Sequence, residues 1–430
     1  MSTNVPKDQT HQIPRKINFF YKNNMTEKKI SGPVNTVRLE GNVFGIDKIL
    51  YVFFDYHRIC SRETNCGDLF SEPIQLFLAK QFQEQSKKST IIDFFLEFFP
   101  TMRMNSEFTK YKQEIYIIEL RKLFAKSLSY SISSDKVSES KLFPKVRFHY
   151  IDIRDYLFYN LLFHADKPLL KQYLGKLTTQ QDIIRVKDIL KKIILEVNFV
   201  MDILFQQTGG KQIIKLLSDE LGPLPREKIL ELINKLKNRY NHPEIKKVVH
   251  LMMDKYLKDG LQRALKMLES IFLLLDAADE ELGKNPKELN VSADLHNLPK
   301  FCSSYEYGPN IDLVYQLQFK INTIFSEFEI LIMDCSVIFI DAYFLRRFLD
   351  KDYVTHGIVY TGGFHSRTYI YILTKYFQFK VTHASYSKYD LPTLNKKLKT
   401  AELNREFYEL FLPDELIQCS NLTEFPENFE

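Results

Sequence analysis

Ile49-Leu50-Tyr51-Val52-Phe53-Phe54-Asp55-Tyr56-His57 is an apolar run of β-branched and aromatic residues that stops abruptly at an acid and a histidine. Its length and composition predict a strand. If the strand persists to its end, Asp55 and His57 project to one side and Tyr56 to the other. A second stretch has the same shape: Gly357 to Thr361 reads as a short strand, Gly362-Gly363-Phe364-His365 follows, and Ser366 to Phe377 carries helical spacing. Gln378 to His383 then reads as another strand, so the order is that of a βα unit in a parallel sheet.

Working outward, Val34 to Asn42 and Lys48 to Asp55 form two early strands separated by a glycine-bearing break. Ser71 to Glu84, Thr90 to Phe99 and Tyr111 to Lys126 show helical spacing, and Ser127 to Ser140 is a serine-rich connection. Lys145 to Ile151 alternates as a strand and ends in Asp152-Ile153-Arg154-Asp155. From Lys167 to Gly283 the period changes to about 3.6, with Gly209-Gly210 and Leu221-Gly222-Pro223 as breakers and helices over Arg226–Tyr240 and Pro243–Gly260. Asn285 to Pro299 reads as a polar linker, and Ile311 to Leu349 as a further helical region.

The expected fold is therefore α/β: a mostly parallel sheet flanked by helices, with a large all-helical insertion. The expected boundaries are a tail over 1–32, a first sheet part over 33–166, the insertion over 167–299, a second sheet part over 300–400 and a closing tail over 401–430.

Composition narrows the function classes. Lys and Arg number 59 against 54 for Asp and Glu, and the two signs are interspersed, so no large basic field marks nucleic acid as a partner. The basic stretch Lys235 to Lys247 is interrupted by Glu244 and reads as a solvated helix face. Five cysteines without CxxC spacing suit a reducing, intracellular setting better than a disulfide framework. Met1 to Lys16 is polar and lacks the apolar segment of a leader. The most apolar stretch, Ile330 to Leu345, contains Asp334 and Asp341 and is expected as a buried helix, not a membrane span.

Asp55, His57, Asp152, Arg154, Asp155 and His365 all fall at expected strand ends, and ligands of open α/β sheets collect beyond the carboxyl ends of strands. His57 and His365 are candidate catalytic groups or ligands for a divalent metal, with Asp55, Asp152 and Asp155 as candidate catalytic partners. Gly362-Gly363 would open backbone conformations closed to other residues and let a ligand approach, and Ser366 is the natural helix N-cap. The competing expectation is structural: strand-end histidines often only pack, and a Gly-Gly pair often only turns. Asp334 and Asp341 are seven apart on one helix face with Arg347 six beyond Asp341, and this set is expected to form an internal ion pair with a basic partner or to line a domain junction rather than to act directly in catalysis. His57, Cys60 and Cys66 match no standard zinc spacing, and Thr208-Gly209-Gly210-Lys211 lacks two elements of a P-loop.

Three segments carry a resemblance. Leu50 to His57, Arg147 to Asp155 and Val359 to His365, together with Asp341-Ala342-Tyr343, resemble a family of uncharacterised proteins from mimivirus-like giant DNA viruses, over about Val37 to Ser385. More distantly, His57 and His365 are similar to the two histidine motifs of the erythromycin-esterase and TIKI-protease-like superfamily. Those proteins place Gly-Glu ahead of the first histidine where this chain has Phe54-Asp55, so their catalytic glutamate does not carry over.

Two functional expectations follow. One is a hydrolase-like His/Asp site, metal-dependent or histidine-based, acting on a small molecule or a protein. The alternative is a non-enzymatic giant-virus protein, in the virion or the infected-cell cytoplasm, that binds a viral or host protein through the helical insertion.

Overall fold

The computed structural model of the chain describes residues 27–57, 66, 68, 70–98, 116–125, 127–131, 136–163, 167–175, 177, 179–205, 226–283 and 313–429. The tail segment Met1–Lys16, the breakers Gly209-Gly210 and Leu221-Gly222-Pro223, the linker Asn285–Pro299, Cys60 and Cys302 lie outside the described residues.

Among the described residues, the strands in chain order are β1 (Lys29–Ser31), β2 (Asn35–Val43), β3 (Ile46–Asp55), β4 (Glu72–Pro73), β5 (Ile92–Leu96), β6 (Tyr130–Ser131), β7 (Lys136–Val137), β8 (Val146–Tyr150), β9 (His356–Gly362), β10 (Lys380–Ala384) and β11 (Cys419–Asn421). Six of them form one sheet in the order β10-β2-β3-β9-β5-β8. The β3-β9, β9-β5 and β5-β8 pairs are parallel, while β10-β2 and β2-β3 are antiparallel. The fold is thus α/β, but the sheet is mixed where a mostly parallel one was expected. The cause is local: β2 and β3 are joined through Phe44-Gly45, with φ of 52° and 88°, and a two-residue turn of that hand can only return the chain antiparallel. Asn42 Oδ1 accepts the Gly45 N–H at 2.8 Å and steadies it.

The sheet is covered on both faces, so its central strands are apolar on both. Leu50, Val52, Phe54 and Phe95 face a core shared with the helices Gln180–Phe205, Asp259–Gly283 and Leu313–Asp350. Tyr51, Phe53, Phe94, Phe148 and Tyr360 face a second, aromatic core under the helices Ile74–Gln85 and Tyr116–Ala125. β5 corrects the helix expected over Thr90–Phe99. A five-residue apolar stretch buried on both faces has no single-face period, and its shortness is what marks it as a strand.

Gly260 does not end a helix as expected. The chain passes from the helix Pro243–Met252 through a π-helical turn, Met253–Lys258, into Asp259–Gly283. A Cβ on Gly260 would lie 2.6 Å from Cys335 Sγ, so this glycine lets the helix cross the 38-residue helix Leu313–Asp350 closely. The end of the chain is also not a loose tail. β11 pairs with β1, Phe425 and Phe429 are buried in the aromatic core, and Cys419 forms a disulfide with Cys66. That cross-link departs from the reduced-cysteine expectation, which rested on spacing along the chain and could not see two cysteines 353 residues apart brought together.

Candidate functional site at the strand ends

The four parallel strands β3, β9, β5 and β8 all deliver their carboxyl ends to one edge of the sheet. β3 ends at Asp55, which is fully buried and paired in register with Gly362 of β9. Asp55 Oδ1 accepts the Tyr56 N–H at 3.0 Å, and Oδ2 lies 2.7 Å from His57 Nδ1. His57 adopts a left-handed backbone, φ 52°, and keeps 41% of its side chain exposed. A β-carbon makes that conformation unfavourable, so the local hydrogen bonds must hold it.

β5 runs one residue further into Glu97, whose N–H donates to Tyr360 O of β9 at 3.1 Å. This carboxylate is the centre of the site. Oε2 accepts the Gly362 N–H at 2.7 Å and the Thr361 hydroxyl at 2.8 Å, and lies 3.5 Å from His57 Nε2. Oε1 lies 3.1 Å from His365 Nε2 and 3.4 Å from Arg154 Nη2. On its far side His365 Nδ1 meets Asp341 Oδ1 at 2.6 Å, from the long helix. The result is a chain of alternating acid and imidazole, Asp55–His57–Glu97–His365–Asp341, buried everywhere except at His57.

Its electrostatics follow from the alternation. Burial alone would push the Glu97 carboxyl up, but His365 and then His57 outweigh it and hold Glu97 well below the usual range. Burial opposes charge on His365, yet Glu97 and Asp341 on either side push its imidazole up to about 10. Burial also raises Asp341, only partly offset by His365 and Thr368. His365 thus faces two carboxylates, which favour its charged form, while Asp341 faces one cation and feels Glu97 as a further charge of its own sign. Loss of water from the inner side of the His57 ring opposes its charge, but Asp55 and Glu97 hold it well above its ordinary value.

Gly362 is the N-cap of the helix Gly363–Tyr376, with φ −59°, a conformation any residue adopts. The expectation of an unusual backbone there gives way to a spatial reason. A Cβ on Gly362 would lie 3.1 Å from His57 Nε2 and 3.4 Å from Glu97 Oε2, and one on Gly363 would lie 3.1 Å from the Tyr408 hydroxyl. The two glycines make room for protein groups. Ser366 is not the N-cap either; its hydroxyl bonds back to Gly362 O at 3.2 Å inside the helix.

Asp152 follows β8 and grips Arg154 through Nε at 2.9 Å and Nη2 at 2.6 Å, so it reaches Glu97 only through that guanidinium. Asp155 is buried in the adjoining 3-10 turn, where its charge bears on Arg154. The structure thus brings together Asp55, His57 and His365, and places Asp152 and Asp155 behind an arginine. Glu97 escapes sequence reasoning because Thr90–Phe99 carries helical spacing; the signal that marks it is a short doubly apolar run ending in an acid. The partner of Asp341 is His365, an imidazole 24 residues on, in place of the ion pair or junction face that the sequence suggests.

The divalent metal expected on His57 and His365 does not fit this arrangement. Both Nε2 atoms turn to the same carboxylate, and among the described residues no three His, Cys, Asp or Glu side chains are grouped as a metal set. Such a chain of donors and acceptors holds protons.

Residues 28–430 match a family of unknown function, DUF5847. The chain belongs to that family. It is 33% identical to the uncharacterized protein R706 of Acanthamoeba polyphaga mimivirus, over 94% of this chain and 97% of that one. It is 31% identical to the uncharacterized protein R161 of the same virus, over 94% and 98%. A third relative, R160, is 28% identical over 94% and 97%. The giant-virus resemblance is borne out, whereas the likeness to the erythromycin-esterase and TIKI-like superfamily gains no support. No solved structure matches. Among the described residues, no helix is long and apolar enough to cross a membrane.

Proposed function

We propose that the strand-end site is a hydrolase-like acid–base centre in which His57 meets the substrate. The observation that carries this reading is the buried chain Asp55–His57–Glu97–His365–Asp341, which reaches the surface only at His57. Buried ionic groups of this kind are no aid to stability compared with apolar packing, and such clusters at strand ends are where function collects. Asp55 holds His57 at Nδ1 by a short contact of 2.7 Å, whereas Nε2 faces Glu97 at 3.5 Å, a long contact that a substrate atom would take over, so Nε2 is the working nitrogen. Glu97 keeps His57 protonated, and the His365–Asp341 pair with Arg154 keeps Glu97 ionised and in place.

In this reading His57 gives its Nε2 proton to the leaving atom of the substrate as that bond breaks. Water supplies hydroxide to the other fragment, and its remaining proton restores the imidazolium, so the chain ends as it began. A panel of chromogenic carboxylic esters, anilides and phosphate esters tests it. His57→Gln is expected to lower turnover by about 10²–10⁴-fold. Absence of turnover by the wild-type protein across the panel would remove the reading.

A second reading rests on a different observation. Leu195 and Leu273 are each exposed on the helices Gln180–Phe205 and Asp259–Gly283 of the helical insertion, and in this reading such side chains contact a viral or host protein in the infected cell or the particle. Loss of that binding in Leu273→Glu, with His57→Gln without effect, would favour it.

A further inference from the structure

We infer that Cys66 and Cys419 form a redox-responsive clasp, a thiol–disulfide exchange site that docks the end of the chain onto the aromatic face of the sheet. At its root the docked segment adds to the disulfide only short strand pairings and single hydrogen bonds. β11 and β1 are three residues each and β4 is two, and strands so short are marginal by themselves. Around the disulfide, Gly32 N–H donates to Gln418 O at 3.1 Å, the Ser420 hydroxyl to Pro33 O at 3.0 Å, and Leu422 N–H to Lys28 O at 2.7 Å.

What the clasp holds down is apolar. Beyond β11, Leu422, Phe425 and Phe429 are buried in the aromatic core. The Phe429 ring packs on Tyr51 at 4.9 Å, Phe77 at 6.0 Å, Phe53 at 6.4 Å and Phe82 at 6.5 Å. Tyr51 and Phe53 belong to β3, the strand that carries Asp55 to the site. Opening the clasp would therefore uncover the outer face of the strand on which the acid–imidazole chain begins.

The two sulfurs differ in access: Cys66 is buried and Cys419 is half-buried. A thiolate of a small dithiol attacks Cys419 Sγ and displaces Cys66 as a thiolate, which takes up a proton. The second thiol of the reagent then attacks its own sulfur in the mixed disulfide and releases Cys419. The protein gains two electrons and two protons, and the dithiol leaves as its cyclic disulfide. Closure is the reverse exchange with a disulfide donor.

The full-length protein, equilibrated with oxidised or reduced dithiothreitol and alkylated in denaturant, reports the state of each cysteine by peptide mass. Native-state hydrogen exchange of the Leu422 and Phe425 amides, which donate to Lys28 O and Leu422 O, reports the docking of the segment. The expected result is that Cys66 and Cys419 escape alkylation only in the oxidised sample, and that exchange at the two amides is about tenfold faster after reduction. Cys66→Ser is expected to exchange at the faster rate in both buffers. Alkylation of both cysteines in the oxidised sample, or equal exchange rates before and after reduction, would overturn the clasp. Neither readout involves catalysis, so the outcome is independent of the hydrolase-like reading.

Discussion

His365 Nε2 lies 3.1 Å from Glu97 Oε1 while its Nδ1 lies 2.6 Å from Asp341 Oδ1, so one buried imidazole is clamped between two buried carboxylates. Glu97 also receives a backbone N–H, a hydroxyl and a guanidinium. Such a carboxylate cannot be replaced by its amide without turning an NH₂ group towards a donor.

Glu97→Gln is therefore expected to destabilise the fold by about 3 kcal/mol, the order found when one partner of a buried ionic pair is removed. Urea unfolding at neutral pH measures it. A loss under about 1 kcal/mol would mean that Glu97 is not the ionised centre described.

The same clamp sets a pH dependence. His365 has an ordinary value of 6.5 and is pushed up to about 10 in the folded protein, so its contribution is complete below pH 6.5 and is lost as pH rises towards 10. The stability difference between wild type and His365→Gln should shrink across that window, by at most about 1.4 kcal/mol per pH unit. Lys48 works in the opposite sense. It is buried, donates Nζ to Lys351 O at 2.9 Å, and is lowered from 10.5 to about 8, mainly by burial, so its charged form is a burden that lifts between pH 8 and 10.5. Comparing each variant with wild type at the same pH separates the two, and a difference for His365→Gln that stays flat from pH 7 to 9 would contradict the clamp.

His57 holds φ at 52°, where glycine is at ease and alanine is not. Both His57→Gly and His57→Ala remove the imidazole from Asp55, so the difference between them isolates the backbone. The glycine variant is expected to be more stable by about 1 kcal/mol in chemical denaturation. Equal stabilities would show that the turn relaxes once the His57–Asp55 contact is gone.

How far the site could be read in the chain depends on which physical signal each residue carried. Asp55, His57 and His365 were legible because each follows an apolar run that could only be a buried strand, and strand ends collect at one edge. The sheet's mixed hand was partly legible too, in the single glycine of Phe44-Gly45. Glu97 was hidden by a run too short to show a period and buried on both faces, so strand and helix gave the same pattern. Asp341 was visible as a costly acid in an apolar helix, but its partner lies 24 residues on, across a turn of the fold that spacing does not encode. The disulfide partners are 353 residues apart and share no local signal at all.

Gly362 offers the sharpest test of the arrangement, because its backbone places no demand for glycine while its missing side chain does. A Cβ there would lie 3.1 Å from His57 Nε2, tighter than an ordinary contact, with Glu97 Oε2 next at 3.4 Å. Gly362→Ala should therefore leave the helix start intact and push the His57 ring away from Glu97, at a cost of about 1–2 kcal/mol in stability. With Glu97 further off, the His57 imidazole loses one of the two carboxylates that raise it, and its titration in an NMR experiment should move down towards 6.5. If the clash is with that ring, combining Gly362→Ala with His57→Gly should cost clearly less than the sum of the two single changes, since the obstacle is already gone. Strict additivity would place the crowding elsewhere and break the link between His57 and Glu97 on which the continuous chain depends.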